Sequence, residues 1–356
     1  MGGRERRSTV PCPATVSAAE PVDPALCQPL RFDRACLEKV WGGRALEQTP
    51  GIALSAEGPI GEVWELADRE EHTSKVAWGP LAGRSLRGLL EDEPQAMLGR
   101  ARLSVRDRFP LLIKYLCAGR PLSVQVHPDD AAARRMHLSD AGKFEAWYVL
   151  AAEPGSVLYL GLQPGVDAAR FAAQAGGPGV ADLLMAWPAH AGQFAVVPAG
   201  TLHSIGAGVT VVEIQQNSDV TFRLYDWDRM GLDGEPREVH LEQALLALDY
   251  EAQVEGPHEP LLEERSEGNR GAVLCDGEHF GIELLEVGTH VDLETDDLAI
   301  VYIVISGRGG ISREAAHDDG LAMDSGDTWF VPACVGAHRL EARGEPMNVL
   351  RVETRA

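Results

Sequence analysis

One pattern of turn, strand, proline and histidine occurs twice in this chain, and it restricts the fold more than any other feature. Gly192-Gln-Phe-Ala-Val-Val-Pro198-Ala-Gly200-Thr-Leu-His203 and Gly326-Asp-Thr-Trp-Phe-Val-Pro332-Ala-Cys-Val-Gly-Ala-His338 share a glycine, five residues, a proline and then a histidine. The glycine permits a tight turn, and the five residues make a strand. The proline ends that strand because it has no N–H to donate to a ladder, and the next strand carries the histidine back inward. A chain that uses this device twice is built from two strand-rich units.

The remaining sequence fits such a plan. Alternating or continuous apolar runs predict strands near 60–66, 109–116, 122–127, 143–150, 157–161, 194–197, 210–216 and 221–225. Helical spacing predicts one or two short helices within 80–105, and others within 130–140, 167–187 and 239–248. From Gly271 onward strands and turns dominate, at 281–287, 298–306, 328–332 and 347–352. Residues 1–28, with Arg4, Arg6, Arg7 and four prolines among small residues, predict a flexible tail, and 251–270 predicts a linker.

The first copy of the repeat matches the second half of the cupin signature without a gap. The second has one more residue before its histidine and lacks the glycine two places after the proline. The chain therefore resembles a two-barrel cupin. That implies a mainly β protein with two jelly-roll barrels and helices inserted in the N-terminal half. A metal-binding barrel is expected over 29–250 and a degenerate one over 271–356.

Composition narrows the partners. A formal charge of −22 argues against general affinity for nucleic acid or anionic membrane, and it requires a local basic pocket for any phosphorylated substrate. No segment has the apolar core of a signal peptide or the length of a membrane span, so the cytoplasm is the expected location. Six scattered cysteines with no CxxC pair read as reduced and structural. Nothing in the sequence sets an oligomeric state.

The strand Leu122-Ser-Val-Gln-Val-His-Pro-Asp-Asp130 carries the chemistry. Residues two apart point the same way, so Ser123, Gln125 and His127 share one face while Val124 and Val126 pack the other. With Glu145 from a following strand and His203 from the repeat, they supply two imidazoles, a carboxylate and an amide oxygen. Such a set suits Zn²⁺ and also Fe²⁺ or Mn²⁺. Lys114 is the only charge on an apolar strand, either facing outward or awaiting an anion. His338 reads as a core histidine, and Trp64, Trp147 and Trp227 read as core or as walls of a sugar site.

Five stretches then resemble type I phosphomannose isomerases in order: Pro110-Leu-Leu-Ile-Lys114, the strand 122–130, Lys143-Phe-Glu145-Ala-Trp-Tyr148, Val197-Pro-Ala-Gly-Thr-Leu-His203 and Glu213-Ile-Gln-Gln-Asn-Ser-Asp219-Val-Thr-Phe-Arg223-Leu-Tyr-Asp-Trp-Asp228. Trp41-Gly-Gly43 and Gly61-Glu-Val-Trp-Glu65 are similar to its N-terminal motifs. The resemblance covers residues 30–352, is nearest the shorter bacterial branch, and implies one Zn²⁺ per chain at Gln125, His127, Glu145 and His203. The implied reaction interconverts mannose 6-phosphate and fructose 6-phosphate through a cis-enediol. Glu213, Lys143 or a zinc-bound water is then the base, and Arg223 the active-site arginine. Lys114 and Ser123 are expected at the phosphate, with Asp219 orienting Arg223. The competing readings are another metal cupin, such as an iron oxygenase or a nucleotide-sugar epimerase, and a non-catalytic sugar-binding module.

Overall fold

The computed structural model describes residues 22–54, 57–252, 254–266, 268–313 and 320–355. As far as residue 21, the expected tail lies outside the described residues. Its end is anchored, since Leu26 is 2 % exposed and joins the core.

The described strands form four antiparallel sheets, numbered here in chain order. The first holds, in spatial order, β1 (Ala35–Gly43), β2 (Ile60–Leu66), β3 (Leu111–Ala118), β10 (Val209–Gln216), β5 (Glu145–Ala152) and β8 (Phe194–Val197). The second holds β11 (Phe222–Tyr225), β4 (Val124–Val126), β9 (His203–Ile205), β6 (Val157–Leu162) and β7 (Leu184–Pro188). In the C-terminal half, β12 (Glu263–Ser266), β13 (Asn269–Asp276), β14 (Phe280–Val287), β21 (Met347–Thr354), β16 (Ile300–Ser306) and β19 (Thr328–Val331) form the third. The fourth holds β15 (His290–Leu293), β20 (His338–Ala342), β17 (Arg308–Arg313) and β18 (Leu321–Asp324). The protein is mainly β, as expected. None of the sheets closes on itself, so each half is a pair of facing sheets instead of a barrel with a continuous hydrogen-bonded wall.

Alternation along the strands explains the stacking. On β3, Ile113, Tyr115 and Cys117 join a core that also contains Ile282, Val301, Phe330 and Leu350 of the C-terminal half. Lys114 and Leu116, one residue out of phase, face the other way, where Leu116 packs with Trp147, Val149 and Val211. The two six-stranded sheets thus pack back to back, and the smaller sheets cover their outer faces. The phenyl rings of Phe109 and Phe330 meet edge-on across the seam, 5.6 Å apart.

Five α-helices lie between residues 86 and 247: α1 (Leu86–Asp92), α2 (Pro94–Leu98), α3 (Asp130–Arg135), α4 (Ala168–Gln174) and α5 (Leu241–Ala247). The helical insertion expected over 167–187, split at Gly176-Gly177-Pro178-Gly179, does divide there: α4 ends before Gly176, which has φ of +82°, but after a 3-10 turn the residues Leu184–Pro188 are strand instead of helix. The stretch expected as a linker is pinned at both ends. His258 exchanges backbone hydrogen bonds with Phe194 at 2.8 and 3.0 Å, and β12 pairs with β13.

Candidate active site

Pro128 stops the strand that carries Gln125 and His127. Asp129 then caps α3 by accepting from Ala132 N at 2.5 Å. The chain returns through Gly142, whose missing Cβ would stand 2.4 Å from Asp130 N, and Lys143 N–H donates to Pro128 O at 2.9 Å. That loop delivers Lys143 and Glu145 to the histidine strand. On the other side Gly200, at φ +83°, donates its N–H to His127 O at 2.8 Å and starts the turn that brings His203 in.

The resulting cluster is tight and buried. Nε2 of His127 and of His203 lie 3.6 and 3.4 Å from the Glu145 carboxylate, and the three candidate ligand atoms are all within 4.8 Å of one another. His127 Nδ1 is 2.7 Å from Val220 O, and His203 Nδ1 is 2.9 Å from Thr201 O. Each ring therefore gives its N–H to the backbone and directs the Nε2 lone pair at Glu145, the arrangement a metal-binding imidazole needs. Glu145 Oε2 is buried without a well-aligned hydrogen bond, although Lys143 Nζ is 2.7 Å away. Gln125 Nε2 lies 3.2 Å from His203 Nε2, and its Oε1 accepts from Ser123 Oγ at 3.0 Å. Turning that amide over offers Oε1 to the cluster and lets Nε2 donate to Ser123. The donor set fits a divalent cation such as zinc.

Charges are layered behind it. Lys143 Nζ is 3.1 Å from His127 Nε2 and 3.3 Å from Glu213 Oε1. Lys114 Nζ is 3.4 Å from Glu213 and 3.9 Å from Glu62, which also receives the Trp64 indole N–H at 2.8 Å and lies 3.2 Å from Lys39. The sequence left Lys114 outward-facing or paired; it is 4 % exposed and paired. Burial, then the Lys143 charge, keeps His127 well below the usual imidazole range, and burial holds His203 at about 4. Burial would lower Lys143, but Glu145 and Glu213 outweigh it and keep the ammonium above the ordinary lysine range. Burial and the Glu145 charge push Glu213 up, whereas Lys114 and Lys39 overcome burial and hold Glu62 down at about 2.

A cavity of about 230 Å³ lies over these groups and also reaches Arg223, Arg237, Thr221, Asp219 and Trp41. All ten residues singled out from the sequence are accounted for: Lys114, Ser123, Gln125, Lys143, Glu213, Asp219 and Arg223 line the cavity, and His127, Glu145 and His203 form the cluster at its floor. Asp219 sits at the exposed rim, and its N–H donates to Asp140 Oδ2 at 3.1 Å. Arg223 is held by the Glu238 carbonyl at 2.8 Å, where Asp219 was expected to orient it. Trp147 stands edge-on to His203 at 5.5 Å, and Trp64 and Trp227 spend their N–H groups on Glu62 and the Leu122 carbonyl. Glu62, Lys39 and Arg237 were missed. For Glu62 a signal existed, since period-2 alternation puts it on one face with Trp64. For Arg237 there was none, because it comes from an irregular loop.

The type I phosphomannose isomerase catalytic domain model matches residues 30–147. The mannose-6-phosphate isomerase of Streptococcus mutans is 32 % identical over 308 residues, 86 % of this chain and 93 % of that protein. This chain belongs to the type I phosphomannose isomerases. A second comparison agrees on the family's fold: the mannose 6-phosphate isomerase structure from Bacillus subtilis has a TM-score of 0.80 at 28 % identity, covering 91 % of this chain and 99 % of that one. A structure of mannose 6-phosphate isomerase bound with zinc and yttrium shares the fold at a TM-score of 0.69 and 18 % identity, over 92 % of this chain and all of that one. The phosphomannose isomerase motifs converge on the cavity from β2, β3, β4, β5, β9, β10 and β11. No helix among the described residues is long and apolar enough to cross a membrane.

Proposed function

We propose that this chain interconverts mannose 6-phosphate and fructose 6-phosphate, with one zinc held by His127, Glu145, His203 and Gln125. The observation that carries the reading is the buried trio of ligand atoms within 4.8 Å, both imidazoles fixed in one tautomer by backbone carbonyls. Family membership supplies the substrate class, and the zinc-bound relative supports the choice of metal. Zinc, when bound, supplies Lewis-acid polarisation of the sugar's C1 and C2 oxygens.

The chain's own residues then have separable tasks. Glu213, raised by burial, takes the proton from C2 of the open-chain aldose and returns it to C1 of the cis-enediol. Lys143, kept as an ammonium by Glu145 and Glu213, is unsuited to act as a base and instead stabilises negative charge on the enediol oxygens. Lys114 already faces two carboxylates, so it sets the charge of Glu213 more than it binds phosphate. Arg223, with its Nε buried and unpartnered, is the cation left for the phosphate, and Arg237, which also lines the cavity, is held by Asp226 with Nε donating to Oδ2 at 2.7 Å. Ser123 orients Gln125, and Asp219 guards the rim.

The same reading places the chemistry in residues 29–250 and leaves 271–356 to packing. It is tested by following fructose 6-phosphate formation from mannose 6-phosphate in a coupled assay of the purified chain. Turnover abolished by chelation and restored by zinc is expected. Activity insensitive to chelation, or no turnover with zinc present, would overturn it.

A further inference from the structure

Far from the cavity, the start of the described chain is laid against the C-terminal half. Leu30 N–H donates to Phe330 O at 2.7 Å, and Phe330 N–H donates to Leu30 O at 2.8 Å. The ring of Phe32 meets Phe330 edge-on at 6.1 Å, and Leu26 is buried. Three residues back from Leu30 stands Cys27, and four residues on from Phe330 stands Cys334, so the two cysteines lie on the same side of this bridge. Their side chains do meet: the Cys27 thiol donates to Cys334 Sγ at 3.0 Å, with both residues partly exposed. In the repeat, Cys334 occupies the place that Gly200 holds in the first copy. The short 3-10 turn Ala333–Val335 sets it there.

We propose that Cys27 and Cys334 are an oxidisable dithiol that peroxides close to a disulfide, tying the N-terminal segment to the C-terminal half. An S–S bond of about 2.05 Å needs the sulfurs to approach by about 1 Å, well within side-chain rotation. Burial pushes the Cys334 thiol up to about 12, so the first attack falls to Cys27. The Cys27 thiolate attacks one peroxide oxygen and the O–O bond breaks. The products are a sulfenic acid and hydroxide, which takes up a proton to become water. Cys334 sulfur then attacks the Cys27 sulfur. The S–O bond breaks, and the Cys334 proton leaves with the hydroxyl as a second water. Two thiols and one peroxide thus give one disulfide and two waters. Each sulfur loses one electron, and the peroxide gains two. A cross-link between positions 307 apart in sequence constrains the unfolded chain strongly.

The full chain, reduced with dithiothreitol and desalted, is treated with hydrogen peroxide, denatured in N-ethylmaleimide and weighed intact. Alkylation of four of the six cysteines is expected, together with a Cys27–Cys334 cross-linked peptide in the digest and reversal by dithiothreitol. The oxidised protein should melt about 5 °C above the reduced one. Cys27→Ser and Cys334→Ser, whose reduced forms melt with the wild type, should show no such rise. The peptide map of the wild type decides the question without either variant. Six alkylated cysteines after peroxide, a link through any other cysteine, or a sulfinic acid at Cys27 beside a free Cys334 would each overturn the proposal.

Discussion

Gln125 on β4 sits across from His203 on β9, and Leu293 on β15 sits across from His338 on β20. Glu145 pairs with Val197, and Ile300 pairs with Val331. One strand further in, the row Trp147, Glu213, Lys114 is matched by Tyr302, Arg351, Glu283, with the two charges exchanged. Both six-stranded sheets have the same strand layout. Each half also fixes its histidine alike, with Nδ1 against the carbonyl two residues earlier, Thr201 O at 2.9 Å and Gly336 O at 2.8 Å. What differs is the company. His203 Nε2 faces Glu145 and Gln125, whereas His338 Nε2 is satisfied by Tyr302 OH at 2.7 Å. The backbone device delivers a histidine to both interiors, and the residues facing it decide whether it is a ligand or a core side chain.

The comparison breaks if the two histidines matter equally. His203→Ala should lower kcat/KM for mannose 6-phosphate by about 10³-fold or more, and His338→Ala should leave it within about threefold. Ile300→Glu puts the ligand carboxylate into the second interior, where Leu298 stands two places before it instead of a lysine. Arg351, the cation of that interior, is already paired with Glu353, so the added carboxylate should cost about 3–5 kcal/mol in urea unfolding, and a neutral result would mean that the second interior accepts a charge. Arg223→Ala should reduce turnover by about 10²-fold, raise KM and keep the metal content; unchanged kinetics would remove Arg223 from the phosphate site.

The smallest effect is one of pH. Burial holds His203 at about 4 and His127 well below 6.5, so between pH 6.5 and 4 the unfolded chain binds those protons and the folded chain resists them. Stability of the metal-free protein is therefore full above pH 6.5 and is lost as the pH falls toward 4. The loss approaches ~1.4 kcal/mol per pH unit for each such histidine. Melting temperatures of chelated protein should fall from pH 7 to 5, and less steeply in His203→Ala. Equal slopes would contradict the assignment.

Much of this was legible in the chain because it was local. Two-residue spacing put Gln125 and His127 on one face, and the Gly-Pro-His pattern announced both histidine turns. The strand and the repeat already gathered Gln125, His127, Glu145 and His203 into one donor set, and the family resemblance then implied zinc there, although β4, β5 and β9 meet only through sheet topology. The phosphate contacts were less legible. Lys114 is neutralised by Glu62 from β2, a cross-strand event that no spacing encodes, and Arg237 reaches the cavity from a loop without periodicity. Jelly-roll barrels were expected from the repeated cupin pattern, but strand count and turn spacing do not reveal whether the edge strands pair, and no sheet among the described residues closes on itself.

Metal content of three proteins tests the central claim most directly. Wild type and His338→Ala should each carry one zinc per chain, and His203→Ala should carry none while remaining folded. Zinc retained in His203→Ala, or lost with His338, would contradict the account.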